Sequence, residues 1–287
     1  MLDTVRLRVL AAVAEHGSIT RAAEQLHYSQ PAVSHHLARL EAETGVRLVQ
    51  RAGRGIRLTA EGELLARRAT EIVGRLAAAD EELAALVGLR TGRVRVGGFQ
   101  SAFSTLIPQA AARLLAASPQ IELQMTDLHP DLALQMLRDG KLDCAVIFRY
   151  DDEVPEGFRC VPLFDDVMHL VSRRAGDTLA DHRDSAWIAG CERCRRDFVA
   201  ACAAAGFTPR IAFTSEDVVV EQALVAAGLG VTTLPGLALR SHRAPGIQAT
   251  PIAAFRRRVL LATFGDPPDP PATAAFNAAI RAVVSEE

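Results

Sequence analysis

The chain has 287 residues, which is long for one domain, so we expect two or three domains. Apolar residues make up 49% of it and charged residues 23%, a composition typical of globular proteins with a sizeable core. The formal net charge of -2 does not indicate a nucleic-acid partner, but the charge is unevenly distributed. Residues 1–68 hold ten arginines, no lysine and seven acidic residues, which is a mild positive excess.

Two features of the sequence bear on the cellular location of the protein. No apolar run is long enough to span a membrane, and charged residues occupy the positions where a signal peptide has its apolar segment. We therefore expect a cytoplasmic protein with no membrane association. Five cysteines, an odd number without a secretion signal, argue against a disulfide framework.

The N-terminal segment predicts three helices. Leu2–Glu15 is amphipathic, and Ser18–Glu41 reads as two short helices joined by a tight polar turn. Ser18 and Ser29 stand at N-cap positions, and Pro31 lies in a first helical turn, where its missing N–H costs nothing. This arrangement is a helix-turn-helix, whose second helix lies in the major groove of DNA.

A basic hairpin follows the helix-turn-helix. The segment VRLVQRAGRGIRLT contains two short β-like pieces around Ala52–Gly55. A hairpin beside a recognition helix is a wing, and Arg51, Arg54 and Arg57 suit contacts with phosphate or with the minor groove.

A long helix is predicted after the wing, capped by Thr59 and running to about Leu89. Its apolar residues alternate spacings of four and three for about three heptads, close to the minimum for a coiled coil. They are Leu65, Ala69, Ile72, Leu76, Ala79, Leu83 and Leu86. We expect the helix to form a homodimer, and the alternative is that this seam packs on its own domain.

From Gly92 onward the pattern alternates between strands and helices. The order βαβαβ predicts a parallel sheet with helices on both faces. Its segments are RVRVGGF, a helix at Ala102–Ala117, IELQMTD, a helix at Asp131–Arg138, and LDCAVIF. A second α/β group contains VPLFDDVMHLVSRR, WIAG, a helix near Arg193–Ala205, RIAFT, a helix at Asp217–Ala227, and GVTTLP. The strand RRVLLATF and a helix at Ala272–Val284 are expected to return to the first α/β group. Two α/β lobes joined by crossover strands form a cleft at the carboxyl ends of their strands.

The motifs of the first sixty residues resemble those of a known family. SITRAAEQLHYSQPAVSHHLARLEAETGVRLVQR, followed by RLTAEGELL, closely resembles the N-terminal domain of LysR-type transcriptional regulators. The rest resembles the effector domain of that family more weakly, through LIPQAAARLLAASPQIEL, LRDGKLDCAVIF and VAAGLGVTTLP. The resemblance implies a small-molecule inducer between the lobes. It also implies a homodimer on the linker helix and a homotetramer through lobes that pair side by side.

The resulting expectation is an α/β protein with an all-α winged helix-turn-helix at its N-terminus and a long linker helix. The DNA-binding domain is expected at 1–58, the linker at 59–91 and the effector domain at 92–287. The effector domain should contain two Rossmann-like lobes of the periplasmic-binding-protein type. Lobe I is placed at about 92–163 and 264–287, and lobe II at about 164–263.

The expected partner is double-stranded promoter DNA. Gln30 and Ser34 sit one turn apart at the start of the recognition helix, where side chains meet base edges, and Gln suits the N6/N7 pair of adenine. His35 and Arg39 face the flanks and suit phosphate. A solvated helix face is the alternative for Gln30, Ser34 and His35. His35 stands where the family often has a basic residue, which affects the operator sequence rather than the binding mode. The full set of predicted DNA contacts is Ser29, Gln30, Pro31, Ser34, His35, Arg39, Arg51 and Arg54.

The effector site is predicted from the strand ends. The chain leaves the first strand at Gly98 and enters a helix, so free N–H groups and the Ser101 hydroxyl should favour an anion, typically a carboxylate. Arg149 could pair with that carboxylate. The predicted contacts are Phe99, Gln100, Ser101, His129, Phe148, Arg149, Thr214 and Thr232. Ordinary loop capping is the alternative for each residue taken singly.

A CxxC pair, Cys191 and Cys194, leaves a second function open. A thiol at a helix start among arginines has a lowered pKa, so a thiol- or metal-responsive regulator is the alternative. No second CxxC exists and His182 is the nearest histidine, so neither a metal site nor a cofactor is predicted. An enzyme using the cleft is the remaining alternative, but GxSxG, HExxH, P-loop and GxGxxG motifs are absent from the sequence. We therefore expect no catalytic residue.

Overall fold

A computed structural model describes residues 2–52, 55–86, 92–151, 153–190, 192–265 and 267–286. The chain divides into two compact units, which we describe separately. The first unit is Met1–Gly92 with Leu134–Asp143, and the second is Arg93–Ala133 with Cys144–Glu287. Among the described helices, none combines the length and apolar character needed to cross a bilayer.

The first unit begins with three helices and a hairpin. The helices are α1 (Thr4–His16), α2 (Ile19–Leu26) and α3 (Gln30–Thr44), and the strands β1 (Val49–Ala52) and β2 (Gly55–Leu58) pair antiparallel. Each helix has a side-chain N-cap: Asp3, Ser18 and Ser29 accept hydrogen bonds from backbone N–H groups of the first turns. The predicted helices and hairpin are therefore present, with helix ends shifted by up to three residues.

The core of the first unit joins the three helices and the hairpin. Its buried residues recur at helical spacing, as in Val33, Leu37 and Leu40 of α3. Ala22 and Ala23 of α2 are buried in the same cluster, where small side chains allow close approach of the helices. The apolar face of α3 is therefore buried within the unit, and its polar face stays exposed.

The long helix α4 (Ala60–Leu86) follows the hairpin. Thr59 caps it as predicted, since its Oγ1 accepts a hydrogen bond from Gly62 N at 3.0 Å. The predicted end near Leu89 lies outside the described residues. The seam changes character along the helix: Ala69 is fully buried, whereas Leu76 and Leu83 are 44% and 62% exposed. The part of the seam around Ala69 therefore packs on its own unit, which is the alternative given above. The part around Leu76 and Leu83 stays exposed.

The second unit is built on a six-stranded mixed sheet with the order β4-β3-β5-β10-β6-β9. Its strands are β3 (Arg93–Gly98), β4 (Glu122–Asp127), β5 (Cys144–Arg149), β6 (Phe158–Ser172), β9 (Thr232–Pro235) and β10 (Gln248–Phe264). Strand β3 is parallel to β4 and β5, as predicted. The sheet as a whole is mixed, because β10 runs back from the second lobe and pairs antiparallel with both β5 and β6.

The second lobe contains a separate parallel pair of strands, β7 (Ala186–Ala189) and β8 (Arg210–Thr214). The remaining helices of the second unit are α5 (Gln100–Phe103), α6 (Leu106–Ala117), α7 (Pro130–Arg138), α8 (Glu192–Ala204), α9 (Val218–Ala226), α10 (Gly236–Ser241) and α11 (Pro271–Ser285). Helix α7 continues into the segment that belongs to the first unit. Helix α11 returns to the first lobe, where Phe276 and Ile280 are fully buried beside residues of β3 and α6.

The helix predicted at Ala102–Ala117 is interrupted. Its residues form the four-residue α5 and the separate α6, because Pro108 has no N–H to donate to the carbonyl of Ser104. The hydroxyl of Thr105 instead donates to the carbonyl oxygen of Ser101 at 2.6 Å. A four-residue helix has a small dipole, so the predicted attraction of an anion to this helix start is weaker than expected.

Candidate functional site

The exposed face of α3 is the first candidate site. Ser29 caps the helix by accepting a hydrogen bond from Ala32 N at 3.3 Å, and Pro31 occupies the first turn. The predicted contact residues of this helix are all exposed: Ser29, Gln30, Pro31, Ser34, His35 and Arg39. The buried residues lie on the opposite side, so α3 presents one continuous polar surface.

The end of α3 is fastened to the first strand of the hairpin. Glu41 accepts hydrogen bonds from the backbone N–H groups of Leu48 and Val49, at 2.8 and 3.2 Å. Sequence reasoning did not identify Glu41, because its carboxylate looks like an ordinary surface charge. The contact holds the wing strand at a set position relative to α3.

The arginines predicted on the wing are only partly described. Arg57 on β2 is exposed. Arg54 and the side chain of Arg51 lie outside the described part of the chain. Their predicted contacts therefore stay predictions.

The second candidate site is a cavity of about 470 Å³ inside the second unit. Strand ends of the first lobe supply Phe99, Ser101, His129 and Phe148, and the second lobe supplies Thr232. Together with Gln100, six of the eight predicted effector contacts line this cavity. A cavity of this size suits a small organic molecule.

The prediction for Arg149 is corrected by the structure. Side chains alternate along a strand, and Phe148 of β5 lines the cavity, so the next residue points to the other face. There Arg149 Nε donates to Asp151 Oδ1 at 2.7 Å. Thr214 also lies outside the lining, but its Oγ1 accepts a hydrogen bond from Nη2 of Arg195, which does line the cavity.

Arg257 on β10 is a buried arginine that lines the cavity along with Arg195. It is 4% exposed and forms a buried ion pair with Asp166 on β6, to which its Nε and Nη2 donate at 3.0 and 2.8 Å. Nη2 also donates to Ser101 Oγ at 2.7 Å. The guanidinium lies 4.7 Å and 4.5 Å from the ring centroids of Phe99 and Phe148, within cation–π range. Arg257 therefore connects the crossover strands with the first lobe.

A buried carboxylate lies in the wall formed by the second lobe. Glu221 of α9 is 4% exposed, and its Oε2 is 2.7 Å from Oγ1 of Thr232. The Thr232 hydroxyl also lies 2.9 Å from the carbonyl oxygen of Ile188. The predicted Thr232 is thus in the cavity wall, and Glu221 is a residue that sequence reasoning missed.

Two exposed side chains meet at the rim. Nε2 of His129 lies 3.3 Å from Oε2 of Glu216, which joins a loop of the first lobe to one of the second. Burial raises the pKa of the nearby Asp127, and His129 opposes this shift. The two lobes therefore contact one another at the rim of the cavity.

Cys194 and Cys202 lie in different surroundings. Cys194 lines the cavity, and burial together with this neighbouring thiol raises the pKa of Tyr150. Cys202 is fully buried, and burial raises the pKa of its thiol to about 12. Cys191 lies outside the described residues. Within the described ranges, no group of three His, Cys, Asp or Glu side chains has a geometry that could hold a metal ion.

Two family models match the chain. Residues 5–63 match the model described as "Bacterial regulatory helix-turn-helix protein, lysR family". Residues 88–285, more than half of the chain, match the model described as "LysR substrate binding domain". The chain belongs to the LysR family. It is a LysR-type DNA-binding transcriptional regulator with a C-terminal effector-binding domain, and the resemblance stated from the motifs is confirmed.

Similarity to individual relatives and to solved structures supports this family assignment. A hydrogen peroxide-inducible genes activator of Dickeya chrysanthemi is 30% identical over 253 residues, which cover 83% of this chain and 80% of that protein. A full-length OxyR variant from Pseudomonas aeruginosa has a TM-score of 0.74 at 26% identity, covering 98% of this chain and 95% of that one. The crystal structure of ArgP from Mycobacterium tuberculosis shares the fold, with a TM-score of 0.75 at 22% identity over 99% of this chain and 98% of that one.

Two residues that sequence reasoning missed at this LysR-family cavity share a signal: Arg257 in the wall and its ion-pair partner Asp166. Asp166 and Arg257 are charged residues within two long strands, in the segments FDDV and FRRRV. A charge at the centre of a strand that is otherwise apolar is buried only when it is paired. The opposite charges of these two segments are therefore a sequence signal for the ion pair between Asp166 and Arg257.

Proposed function

We propose that the exposed face of α3 reads the operator. Gln30 and Ser34 are proposed to contact base edges, and His35 and Arg39 to contact phosphates. Ser29 and Pro31 are proposed to start the helix at the groove, and Arg51 and Arg54 to contact the backbone from the wing. The observation that carries this proposal is the exposure of one polar face on a helix whose apolar face is buried.

The test of this proposal is binding to the intergenic DNA upstream of the gene. Footprinting is expected to reveal a protected dyad, since a symmetric dimer contacts two half-sites. Binding to that fragment no tighter than to random DNA of equal length would contradict the proposal.

We propose a division into a DNA-binding domain at 1–58, a linker at 59–91 and an effector domain at 92–287, with lobe I at about 92–163 and 264–287. The linker is proposed to dimerise through the exposed part of the α4 seam, where Ile72, Leu76 and Leu83 are 39%, 44% and 62% exposed. Exposed apolar side chains at heptad spacing favour a partner helix.

We propose that dimers assemble into homotetramers through the lobes. One edge strand of each sheet of the second unit carries an exposed apolar side chain, Met125 on β4 and Phe213 on β8. Val219 and Val220 at the start of α9 are exposed as well. Side-by-side pairing of lobes would cover these residues.

We propose that a small-molecule effector binds in the cavity and shifts the equilibrium between tetramer geometries that bend promoter DNA differently. Phe99, Gln100, Ser101, His129, Phe148 and Thr232 are the proposed contacts. An effector with a carboxylate is supported by Arg257 and Ser101, which lie in the same wall. The test is a footprint that shortens when one compound is added to the protein on its promoter.

We propose that the cavity binds rather than catalyses, because the family consists of transcription regulators. The function requires neither a metal nor another cofactor. Since its operator is chromosomal, we place the protein in the cytoplasm.

A second candidate function is a response to peroxide through Cys194. It is favoured by the names of two relatives, which are hydrogen peroxide-inducible genes activators, and by the position of Cys194 in the cavity wall. Peroxide would oxidise this thiol to a sulfenic acid, with water as the other product. The raised pKa of Cys202 argues against a fast second thiol, because the thiolate is the reactive form. The test is the footprint of Cys194→Ser with and without peroxide.

A further inference from the structure

We infer that DNA binding by this protein takes up protons, because two neighbouring histidines of α3, His35 and His36, meet DNA phosphates in their charged form. The inference rests on the proposed function, since it takes the exposed face of α3 as the DNA-binding surface. It goes beyond that function by assigning a pH-dependent part of the affinity to two named side chains.

His35 is placed to meet the groove. It lies two residues from Val33 and two from Leu37, and both of these are buried in the core of the first unit. In a helix of 3.6 residues per turn, its side chain therefore points directly away from that core. The side chain is exposed, and His36 beside it is half-buried. A charge on His35 would face the DNA.

Without its histidines, α3 is not a positively charged helix. It contains one arginine, Arg39, and two glutamates, Glu41 and Glu43, which give a formal charge of -1. Such a helix gains little from the negative charges of the DNA backbone. Protonation of both histidines changes the formal charge of α3 to +1. Histidine is the side chain that makes this change between about pH 5 and 8.

The carboxylates near α3 are occupied by other groups. Glu41 accepts from the hairpin backbone, and Glu43 pairs with Arg6 of α1 at 2.6 Å. On the elements that pack against α3, Asp3 caps α1, Glu15 lies 3.5 Å from Lys141, and Glu24 is exposed. In the part of the chain that the structure describes, histidines form ion pairs in the second unit, and neither His35 nor His36 does so. A DNA phosphate would therefore supply the anion that these imidazoles lack.

The remaining groups near the two rings act in opposite directions. Tyr28 of the turn stacks on His36 with ring centroids 5.7 Å apart and an interplanar angle of 27°. The face of an aromatic ring attracts a cation, so Tyr28 favours the charged form of His36. The ring of His35 lies 6.3 Å from that of His36, and a charge on either one opposes a charge on the other. The cationic groups of the adjoining elements oppose it as well: Arg6, Arg8, His16, Arg21 and His27.

The approach of DNA changes this balance. A phosphate beside an imidazole favours the protonated ring, and the pair forms a charge-assisted hydrogen bond. Binding is then linked to proton uptake, and one proton taken up changes the association constant about tenfold for each pH unit. Affinity should therefore rise as the pH falls through the range in which histidine gains its charge.

The test compares DNA binding at pH 6, 7 and 8. Fluorescence anisotropy with the full-length protein uses two duplexes of equal length, the intergenic DNA upstream of the gene and a random sequence. We expect both to be bound about tenfold or more tightly at pH 6 than at pH 8. The slope of log affinity against log salt should be steeper by about one to two at pH 6, since each new phosphate contact releases about one counterion.

Variants assign the protons to residues. The double variant His35→Gln with His36→Gln is expected to lose most of the pH dependence. His35→Arg carries a permanent charge, so it should bind more tightly than the unmodified protein at pH 8 and respond less to pH. His242→Gln is the matched control, since His242 is an exposed histidine of the second unit, and it should keep the full pH dependence. Because His35 is exposed, its replacement should leave the unfolding temperature unchanged.

Two results would overturn the inference. They are equal affinity of the unmodified protein at pH 6 and pH 8, and a pH dependence that the double variant retains in full. The proposed function fails separately, when the upstream fragment is bound no more tightly than the random duplex at any of the three pH values.

Discussion

Arg257 and Asp166 stand directly opposite one another in the register of the two crossover strands, β10 and β6. The pair is buried, with both residues 4% exposed, and Asp166 also accepts a hydrogen bond from Leu237 N at 3.1 Å. Because Nη2 of Arg257 donates to Ser101, the pair links the strands that join the lobes to the first turn of α5. A ligand that binds Arg257 would therefore act directly on the connection between the lobes.

Removing one partner of this pair should strongly destabilise the second unit. We expect Asp166→Ala to lower the free energy of unfolding by roughly 3–5 kcal/mol, because the guanidinium stays buried without its counter-ion. Chemical denaturation of the full chain measures this change. The double variant Asp166→Leu with Arg257→Met should recover much of the loss, and a double variant as unstable as the single one would contradict this explanation.

Recognition by α3 should separate into two kinds of contact. Gln30→Ala is expected to lower the preference for the operator over random DNA by about 1–3 kcal/mol, because it removes a contact with a base edge. Arg39→Ala should weaken binding to both DNAs alike and reduce the slope of affinity against salt by about one. Titrations on the two DNAs at several salt concentrations measure both quantities. If both variants lose equal affinity for the two DNAs, the two side chains do not separate into a base contact and a phosphate contact.

The exposed part of α4 should control assembly. Leu76→Asp puts a charge into the seam, so we expect dissociation of the dimer at micromolar concentration and loss of operator binding. Sedimentation measures the mass. Ala77→Asp is the control, since this residue is exposed but lies off the seam. If both variants sediment like the unmodified protein, the seam does not hold the dimer.

Asp177 should make stability depend on acid pH. Burial alone raises its pKa, but hydrogen bonds with His182, Arg174 and Ser172 outweigh burial and lower the pKa below the ordinary value. A lowered pKa in the folded state stabilises the protein above the unfolded pKa, near pH 4, and this stabilisation is lost as the pH falls toward the folded value.

Asp177→Asn should therefore be less stable than the unmodified protein at neutral pH, and the difference should shrink below about pH 4. Thermal unfolding from pH 7 down to pH 3 checks this expectation. Asp184→Asn, an exposed change in the same segment, serves as the control. A difference that stays constant across the range would mean that the carboxylate does not titrate as described.

The DNA-binding unit was predictable because its signals are local. Ser18 and Ser29 cap their helices as expected, and the spacing of Val33, Leu37 and Leu40 identified the buried face of α3. Each of these features depends on residues within a few turns of one another.

The cavity was less predictable because its key contacts are far apart in the chain. Asp166 and Arg257 are 91 residues apart and meet only because β10 runs antiparallel to β6, a pairing that the predicted order of the elements did not specify. Arg149 was chosen for its place at a strand end, but the face on which it lies depends on the register of β5. Glu221 looks in the sequence like an exposed charge in the first turn of α9, and its burial follows from the contact with Thr232.

The most direct measurement is a footprint of the purified protein on the DNA upstream of its gene, with and without a candidate effector. We expect two protected half-sites one or more helical turns apart, and the total protected length should shorten when the effector binds. Protection of a single half-site by a monomer, or no protection beyond that of random DNA, would contradict it.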